Sequence, residues 1–436
     1  MNTMGKAFEI LINARLQAEL ETKQIISNKQ YGFRKGRSTI EAIMSIIKKA
    51  EAENEKTLKT RKLVLVILLD IKNAFNSISW RAVKTSSQKY NISIYLQKIV
   101  DSYLSDRIVK CKGIEKKMTA GVPQGSVLGP TLWNIAYNEI FELDLPEEAE
   151  VTGYADDVAL TITAPSEELL EHRANEAIDR ISQWLKQQAL EVAALKSEAI
   201  LITKTYKIGD FRIELEGEQI EVKNTVKYLG IHIDKRLNFT KHVKRVTQKA
   251  SKISNNLNKI MPRTHGAGET KRKLLATVAE SIVCYGAPVW DKKLEIKQNA
   301  KDLEKTQRIT AIRISRAYRT VSNDAVMVIG RCIPWVIKLE VRREIRQTKE
   351  QVENFEQKCI EIWQEGWKNS KNDKGKWTRR LITDIKPWYF RTHGELTYEL
   401  TQVLTGHGSF QDFLYRIGKK LSPICEMCDS GQMREI

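Results

Sequence analysis

The chain has 436 residues, 42% hydrophobic and 29% charged, enough for two or three domains with a sizeable core. Lys plus Arg is 72 against 54 for Asp plus Glu, and the net charge of +18 argues for a polyanionic partner, most often nucleic acid. The longest apolar run, Leu63–Leu69, is far too short to span a bilayer, and six scattered cysteines make no disulfide framework, so a membrane partner is not expected and a reducing compartment is.

In chain order, Phe8, Ile10, Leu11, Ala14, Leu16 and Leu20 recur at helical spacing and predict an amphipathic helix rather than the apolar core of a signal peptide. The Gly-punctuated loop Gln30-Tyr-Gly-Phe-Arg-Lys-Gly-Arg-Ser-Thr39 follows, and Ser38 or Thr39 can cap the next helix with Glu41 in its first turn. That helix runs through Ile43, Ile46 and Ile47 into a charged stretch, 48–62, expected as a solvated loop or helix end. Leu63–Leu69 is the pattern of a strand buried on both faces, and it ends in Asp70. Ser79 can start a helix, another is expected over about 92–104, and a β-hairpin over 107–121 around Lys112-Gly113.

Gly121-Val-Pro-Gln-Gly-Ser-Val-Leu-Gly-Pro130 is a turn-rich loop whose glycines let a ligand approach the backbone, and it feeds a helix over about 132–143. Gly153-Tyr-Ala-Asp-Asp-Val158 lies between β-prone runs and predicts a hairpin with Asp156 and Asp157 at its tip. Taken alone, such a pair is more often a solvated acidic turn. Two like charges held this close repel unless a cation lies between them, and such oxygen ligands suit Mg²⁺ or Mn²⁺. A long helix over about 166–190, a strand over 199–203 preceded by Lys196, and a strand over 226–233 follow. From about 238 basic amphipathic helices take over, at 243–260, 269–283 and 303–318. After 345 come Trp363, Trp367, Trp377 and Trp388, with the basic run Lys374-Gly-Lys-Trp-Thr-Arg-Arg380 among them. Aromatics among cations can stack on bases, or they can be the core of a small helical domain. These breaks divide the chain into 1–237, 238–345 and 346–436.

Three carboxylates stand out. If the strand ending at Asp70 and the hairpin of Asp156 and Asp157 are central neighbours in one sheet, the three converge as two-metal nucleotidyl transfer requires.

These segments, in this order, resemble the reverse transcriptases of non-LTR (LINE-like) retrotransposons, most of all the type-1, ribosomal-DNA-inserting clade. The matching stretches are Tyr31 to Thr39, Leu69-Asp-Ile-Lys-Asn-Ala-Phe-Asn-Ser77, Gly121 to Pro130, Tyr154-Ala-Asp-Asp157, Lys196-Ser-Glu198 and Tyr228-Leu-Gly230. A weaker likeness continues through Ala317-Tyr-Arg-Thr-Val-Ser322 and Leu404-Thr-Gly-His-Gly408. The resemblance implies an α+β right-hand polymerase, with fingers and an antiparallel palm sheet in 1–237, then a mainly helical thumb and C-terminal region. It implies RNA-directed DNA polymerase activity, joining dNTPs to a DNA primer on an RNA template with Mg²⁺ or Mn²⁺, in a nuclear setting. Asp70, Asp156 and Asp157 would ligate the metal, with the Ile71 carbonyl as a further oxygen. Phe75 would exclude a ribose 2′-hydroxyl, Gln124 and Gly125 would support the nucleotide and template, and Lys196 would protonate or screen pyrophosphate. Tyr228, Leu229 and Gly230 would hold the primer end.

The departures also count. Nothing corresponds to the endonuclease that precedes the polymerase in the family's polyprotein, and the first fingers segment, with its triphosphate-binding basic residues, has no counterpart. Cys425-Glu-Met-Cys428 resembles half of a zinc knuckle, but no His or Cys follows it, so zinc is not expected. The chain therefore reads as a fragment of a longer element. The competing readings are a remnant that binds nucleic acid without turnover and a maturase-like RNA-binding protein.

Overall fold

Strand β1 (Leu63–Leu69) is the centre of the first of two units, Met1–Asn238 and Phe239–Ile436, in the computed structural model, which describes residues 3–57, 59–111, 113–204, 211–348, 354–370 and 373–425. Ahead of it come α1 (Thr3–Thr22) and α2 (Thr39–Glu55). After it the chain forms β2 (Ile71–Lys72), α3 (Ala74–Ser77), α4 (Trp80–Lys89), α5 (Ile94–Leu104), the hairpin β3 (Ile108–Cys111) and β4 (Ile114–Lys117), and α6 (Gly129–Tyr137). Then come β5 (Ala149–Tyr154), β6 (Asp157–Ala164), α7 (Glu167–Gln187), β7 (Glu191–Val192), β8 (Glu198–Ile202), β9 (Glu214–Leu215), β10 (Glu218–Gln219), β11 (Thr225–Tyr228) and β12 (Ile231–Asp234).

The main sheet has the order β5-β6-β1-β8, and every pairing in it is antiparallel. Alternate β1 residues Leu65, Ile67 and Leu69 join the cluster of Leu132 and Ile135 from α6 and Ile178 and Ile181 from α7. Val64 and Val66 point the other way and are also buried, so the uninterrupted apolar run serves a strand covered on both faces. Helix starts follow local chemistry. Ser38 and Glu41 form a capping box on α2, the Ser79 hydroxyl accepts from the Ala82 N–H at 3.1 Å, and the Ser166 hydroxyl accepts from the Leu169 N–H at 3.3 Å.

Three expectations change. In α1 the buried side is Glu9, Ile12, Leu16 and Leu20, while Phe8, Ile10 and Leu11 are exposed. Glu9 belongs inside because its carboxylate accepts from the Val127 N–H at 2.6 Å. The helix expected over 132–143 ends as α-helix at Tyr137 and passes into a 3₁₀ turn, Asn138–Glu142, while the charged stretch is in part a helix end, α2 continuing to Glu55. The strand expected over 226–233 is a hairpin, because Leu229 (φ 44°) and Gly230 (φ 85°) both adopt left-handed backbone. Lys112 and Cys428 lie outside the described residues.

Among the described residues of the second unit the regular elements are all helices: α8 (Thr240–Asn258), α9 (Glu269–Cys284), α10 (Ala287–Trp290), α11 (Lys297–Ile314), α12 (Asn323–Ile329), α13 (Trp335–Thr348), α14 (Phe355–Asn369), α15 (Lys376–Leu381), α16 (Ile385–Phe390), α17 (Tyr398–Thr405) and α18 (Gln411–Arg416). One apolar cluster joins residues on both sides of 345, from Ala311 to Leu404. Of the two readings of the C-terminal tryptophans, the core one holds for two of them: Trp363 and Trp367 are buried in this cluster. The indole N–H of Trp367 donates to Ile382 O at 2.8 Å and that of Trp388 to Val328 O at 2.9 Å, as buried indoles require. Among the described residues no helix is long and apolar enough to cross a membrane.

Candidate active site

The pairing of β1 with β6 decides where the carboxylates lie. Leu69 stands opposite Val158, so Asp70, the next residue of the β1 chain, emerges beside Asp157, the first residue of β6. On the hairpin's other arm Tyr154 pairs with Asp157, which makes Ala155 and Asp156 the two-residue turn. Ala155 takes the left-handed backbone (φ 58°). The Asp pair is therefore split between turn and strand rather than sitting together at the tip.

This turn is clamped from below by residues that sequence reasoning did not select. Gln30 is 1% exposed. Its Oε1 accepts from the N–H groups of Ala155 at 3.1 Å and Gly32 at 2.9 Å, and its Nε2 donates to Ala155 O at 3.3 Å. The Trp133 indole donates to the same carbonyl at 3.2 Å. Tyr31 N–H donates to Gly153 O, and Gly153 N–H to Lys29 O, at 2.8 and 2.9 Å. Gly32 is obligatory, since a Cβ there would lie 2.1 Å from Ala155 N. The one signal available in the sequence was Gln30, a polar residue directly ahead of Tyr31-Gly32-Phe33.

The carboxylates feel one another. Desolvation by the surrounding protein, then the charges of Asp156 and Asp70, push the Asp157 carboxyl up to about 6, although its side chain remains open to solvent. Asp156 is also raised, first by desolvation; a hydrogen bond to its own backbone opposes this, and the charge of Asp70 adds to it. The Asp70 N–H donates to Ser197 Oγ at 3.3 Å, and its carboxylate faces Lys196 Nζ at 3.9 Å. Lys196 ends a short 3₁₀ turn, Ala194–Lys196, and is exposed. Ile71 is buried in β2, paired with Val192. Among the described residues no three His, Cys, Asp or Glu side chains are gathered tightly enough to hold a metal ion as they stand.

Phe75 is half-buried, edge-on to Phe33 at 5.7 Å and tilted against Trp133 at 4.7 Å. Its carbonyl accepts from the Val122 N–H at 2.7 Å, and Gly121 N–H donates to Ile78 O at 2.7 Å. These bonds fasten the loop of Gln124 and Gly125 to the segment that follows Asp70, while both residues stay exposed and nothing lies within 4 Å of a Cβ built on Gly125. Tyr228 is buried, and its hydroxyl has no hydrogen-bond partner among the described residues. Burial, followed by the charges of Asp157 and Tyr31, raises its phenol far above the ordinary value. Arg34, by contrast, is used structurally, donating to the carbonyls of Ser27 at 2.7 Å and Gln30 at 3.3 Å.

The family described as reverse transcriptase (RNA-dependent DNA polymerase) matches residues 1–233, more than half of the chain. The Pol polyprotein from the type-1 retrotransposable element R1 of Bradysia coprophila is 26% identical over 461 residues, covering 98% of this chain and 44% of that protein. The probable RNA-directed DNA polymerase from transposon BS of Drosophila melanogaster is 28% identical over 343 residues, covering 76% of this chain and 36% of that protein. The chain thus spans less than half the length of these two relatives. Among solved structures, apo telomerase from Candida tropicalis is similar with a TM-score of 0.38 at 12% identity, over 81% of this chain and 61% of that one. On the match over residues 1–233, this α+β chain with its antiparallel sheet belongs to the reverse transcriptase (RNA-dependent DNA polymerase) family.

Proposed function

We propose that the chain acts as the RNA-directed DNA polymerase of a non-LTR retrotransposon, adding deoxynucleotides to a DNA primer on an RNA template. The observation that carries this reading is the β1–β6 register, which brings Asp70 beside the Asp156-Asp157 turn. The upward shift of Asp157, driven in part by its two neighbours' charges, is the signature of a site that gains from a cation. The donor set, carboxylate oxygens with the Ile71 carbonyl close in sequence, suits Mg²⁺ or Mn²⁺ held by Asp70, Asp156 and Asp157. Such a cation, when bound, lowers the pKa of a primer 3′-hydroxyl and offsets triphosphate charge.

The chain's own residues supply the rest. The Phe75 ring, braced by Phe33 and Trp133, is a fixed wall against which a 2′-hydroxyl clashes. The loop of Gln124 and Gly125 offers open backbone to the nucleotide and template. Lys196 brings an ammonium beside Asp70 that can screen or protonate the leaving pyrophosphate. The turn at Tyr228, Leu229 and Gly230 supports the primer end, with Tyr228 buried as its anchor.

Primer extension on RNA tests the reading. Asp156→Asn and Asp157→Asn should each lower the extension rate by about 100-fold or more, and each should abolish the rise in melting temperature that Mg²⁺ gives the parent chain. Unchanged extension in both variants would falsify the metal assignment. Loss of Mg²⁺ response with no extension by the parent chain would leave a binding remnant instead.

A further inference from the structure

The polymerase reading gives no task to the acid buried in α1. Glu9 is 3% exposed, and its Oε2 accepts from the Val127 N–H at 2.6 Å. Its Oε1 is buried without a hydrogen-bond partner among the described residues. Position 9 continues the inward stripe of Ile12, Leu16 and Leu20, where an apolar side chain would be buried at less cost. A half-satisfied carboxyl group in that place weakens the fold. What it gains in return is a hold on Val127, three residues from the exposed Gln124.

Glu9 does not act alone. Asn13 and Gln17 follow at intervals of four, on the same face of α1. The Thr131 hydroxyl, buried in the first turn of α6, donates to Asn13 Oδ1 at 2.6 Å and accepts from Gln17 Nε2 at 2.7 Å. Three polar side chains of one helix thus hold the start of α6 and the residue just ahead of it. Leu128, the N-cap of α6, offers no side-chain acceptor. The acceptors come from outside the helix instead: Ser126 Oγ takes the Gly129 N–H at 2.9 Å, and Glu9 takes that of Val127.

The loop between has little slack. Its first residues, Gly121 and Val122, are bonded to Ile78 and Phe75, and both the N–H and the hydroxyl of Ser126 donate to Pro123 O, at 3.2 and 2.9 Å. Of residues 121–130, Gln124 and Gly125 alone are exposed. They are carried on a loop fastened at both ends, by Phe75 and Ile78 on one side and by Glu9 on the other.

We propose that Glu9, seconded by Asn13 and Gln17, is a positioning residue for nucleotide and template binding. By holding the Val127 end of the loop it sets Gln124 and Gly125 in place before the substrate arrives, so the ordering cost is met on folding rather than on binding. This rests on the role given to Gln124 and Gly125 in the polymerase reading and adds the helix that sets them.

The test joins hydrogen exchange of the full chain, without metal or dNTP, to single-nucleotide extension. Glu9→Met keeps the length and removes the acceptor. It should speed exchange in residues 124–127 by about 10-fold. It should also raise KM for the dNTP by about 10-fold with kcat nearly unchanged, as loss of an interaction made equally in ground and transition state requires. Glu9→Gln, which keeps an oxygen for the Val127 N–H, should restore both values to within about 3-fold of the parent. Thr131→Val, which keeps the volume and removes the joint to Asn13 and Gln17, should move both in the same direction by about 3-fold, and it carries the test if Glu9→Met does not fold. A lower urea midpoint with exchange and KM unchanged in the folded variants would make Glu9 a structural residue only and overturn the proposal. Such a result with extension intact leaves the polymerase reading standing. Faster exchange in Glu9→Met, with no extension by the parent chain, counts against the polymerase reading and removes the substrate role with it.

Discussion

Gln30 is the residue on which the carboxylate turn rests, although it carries no charge and touches no carboxylate. Replacing it with Met keeps the volume but leaves the N–H groups of Ala155 and Gly32 buried without that acceptor. A loss of about 2–4 kcal/mol is expected from two orphaned donors, read as a lower urea midpoint, together with a fall in extension. An unshifted midpoint would show that the clamp is idle. The contrast with the aspartates explains what was legible. Asp70, Asp156 and Asp157 could be read because charge at the end of an apolar strand, and adjacent charge in a β-turn, are both anomalous locally. Gln30 could not, because its role exists only once a segment 125 residues away folds against it. Phe75 lies between: its motif marked it, but the bracing by Phe33 and Trp133 is purely tertiary.

At the scale of elements, periodicity found the long helices and the buried strand, and erred where two patterns competed. In α1 the apolar residues outline two stripes, and only the fit of Glu9 to the Val127 N–H selects the one that turns inward. In 226–233 the alternation continues through a turn, so strand residues on both arms read as one strand; Gly230 was the break to notice. That turn carries a testable tension. Leu229 sits at φ 44°, where a branched apolar side chain is strained and Asn is not. Leu229→Asn should raise stability by about 0.5–1 kcal/mol through relief of that strain, seen as a higher urea midpoint; under the proposed role of this turn at the primer end it should also lower extension. If stability rises and extension is untouched, the turn does not hold the primer.

At the scale of the whole molecule, the basic excess is not spread as a uniform coat. In the second unit part of it is neutralised internally, around Glu269, which is buried and receives Lys273 at 2.9 Å, Arg331 at 2.6 Å and Arg391 at 3.2 Å. Burial alone would raise this carboxyl, but the bonds from Lys273 and Arg331 overcome it and hold it below its ordinary 4.5. A carboxyl lowered on folding contributes stability above its unfolded pKa and loses it as pH falls through the folded one. The parent's urea midpoint should therefore decline from about pH 5 downward. Glu269→Gln should flatten that decline and should cost about 3 kcal/mol at neutral pH, where three cations lose their shared anion. An equally steep decline in the variant would assign it to other groups. The clamp beneath the Asp turn has a kinetic consequence as well. Hairpin tips ordinarily trade amide hydrogens with water almost freely, but the Ala155 amide is held by a side chain 125 residues earlier in the chain. It should exchange only when the 27–33 segment lifts away, so this single amide is a clock for the opening and closing of the Asp156-Asp157 turn.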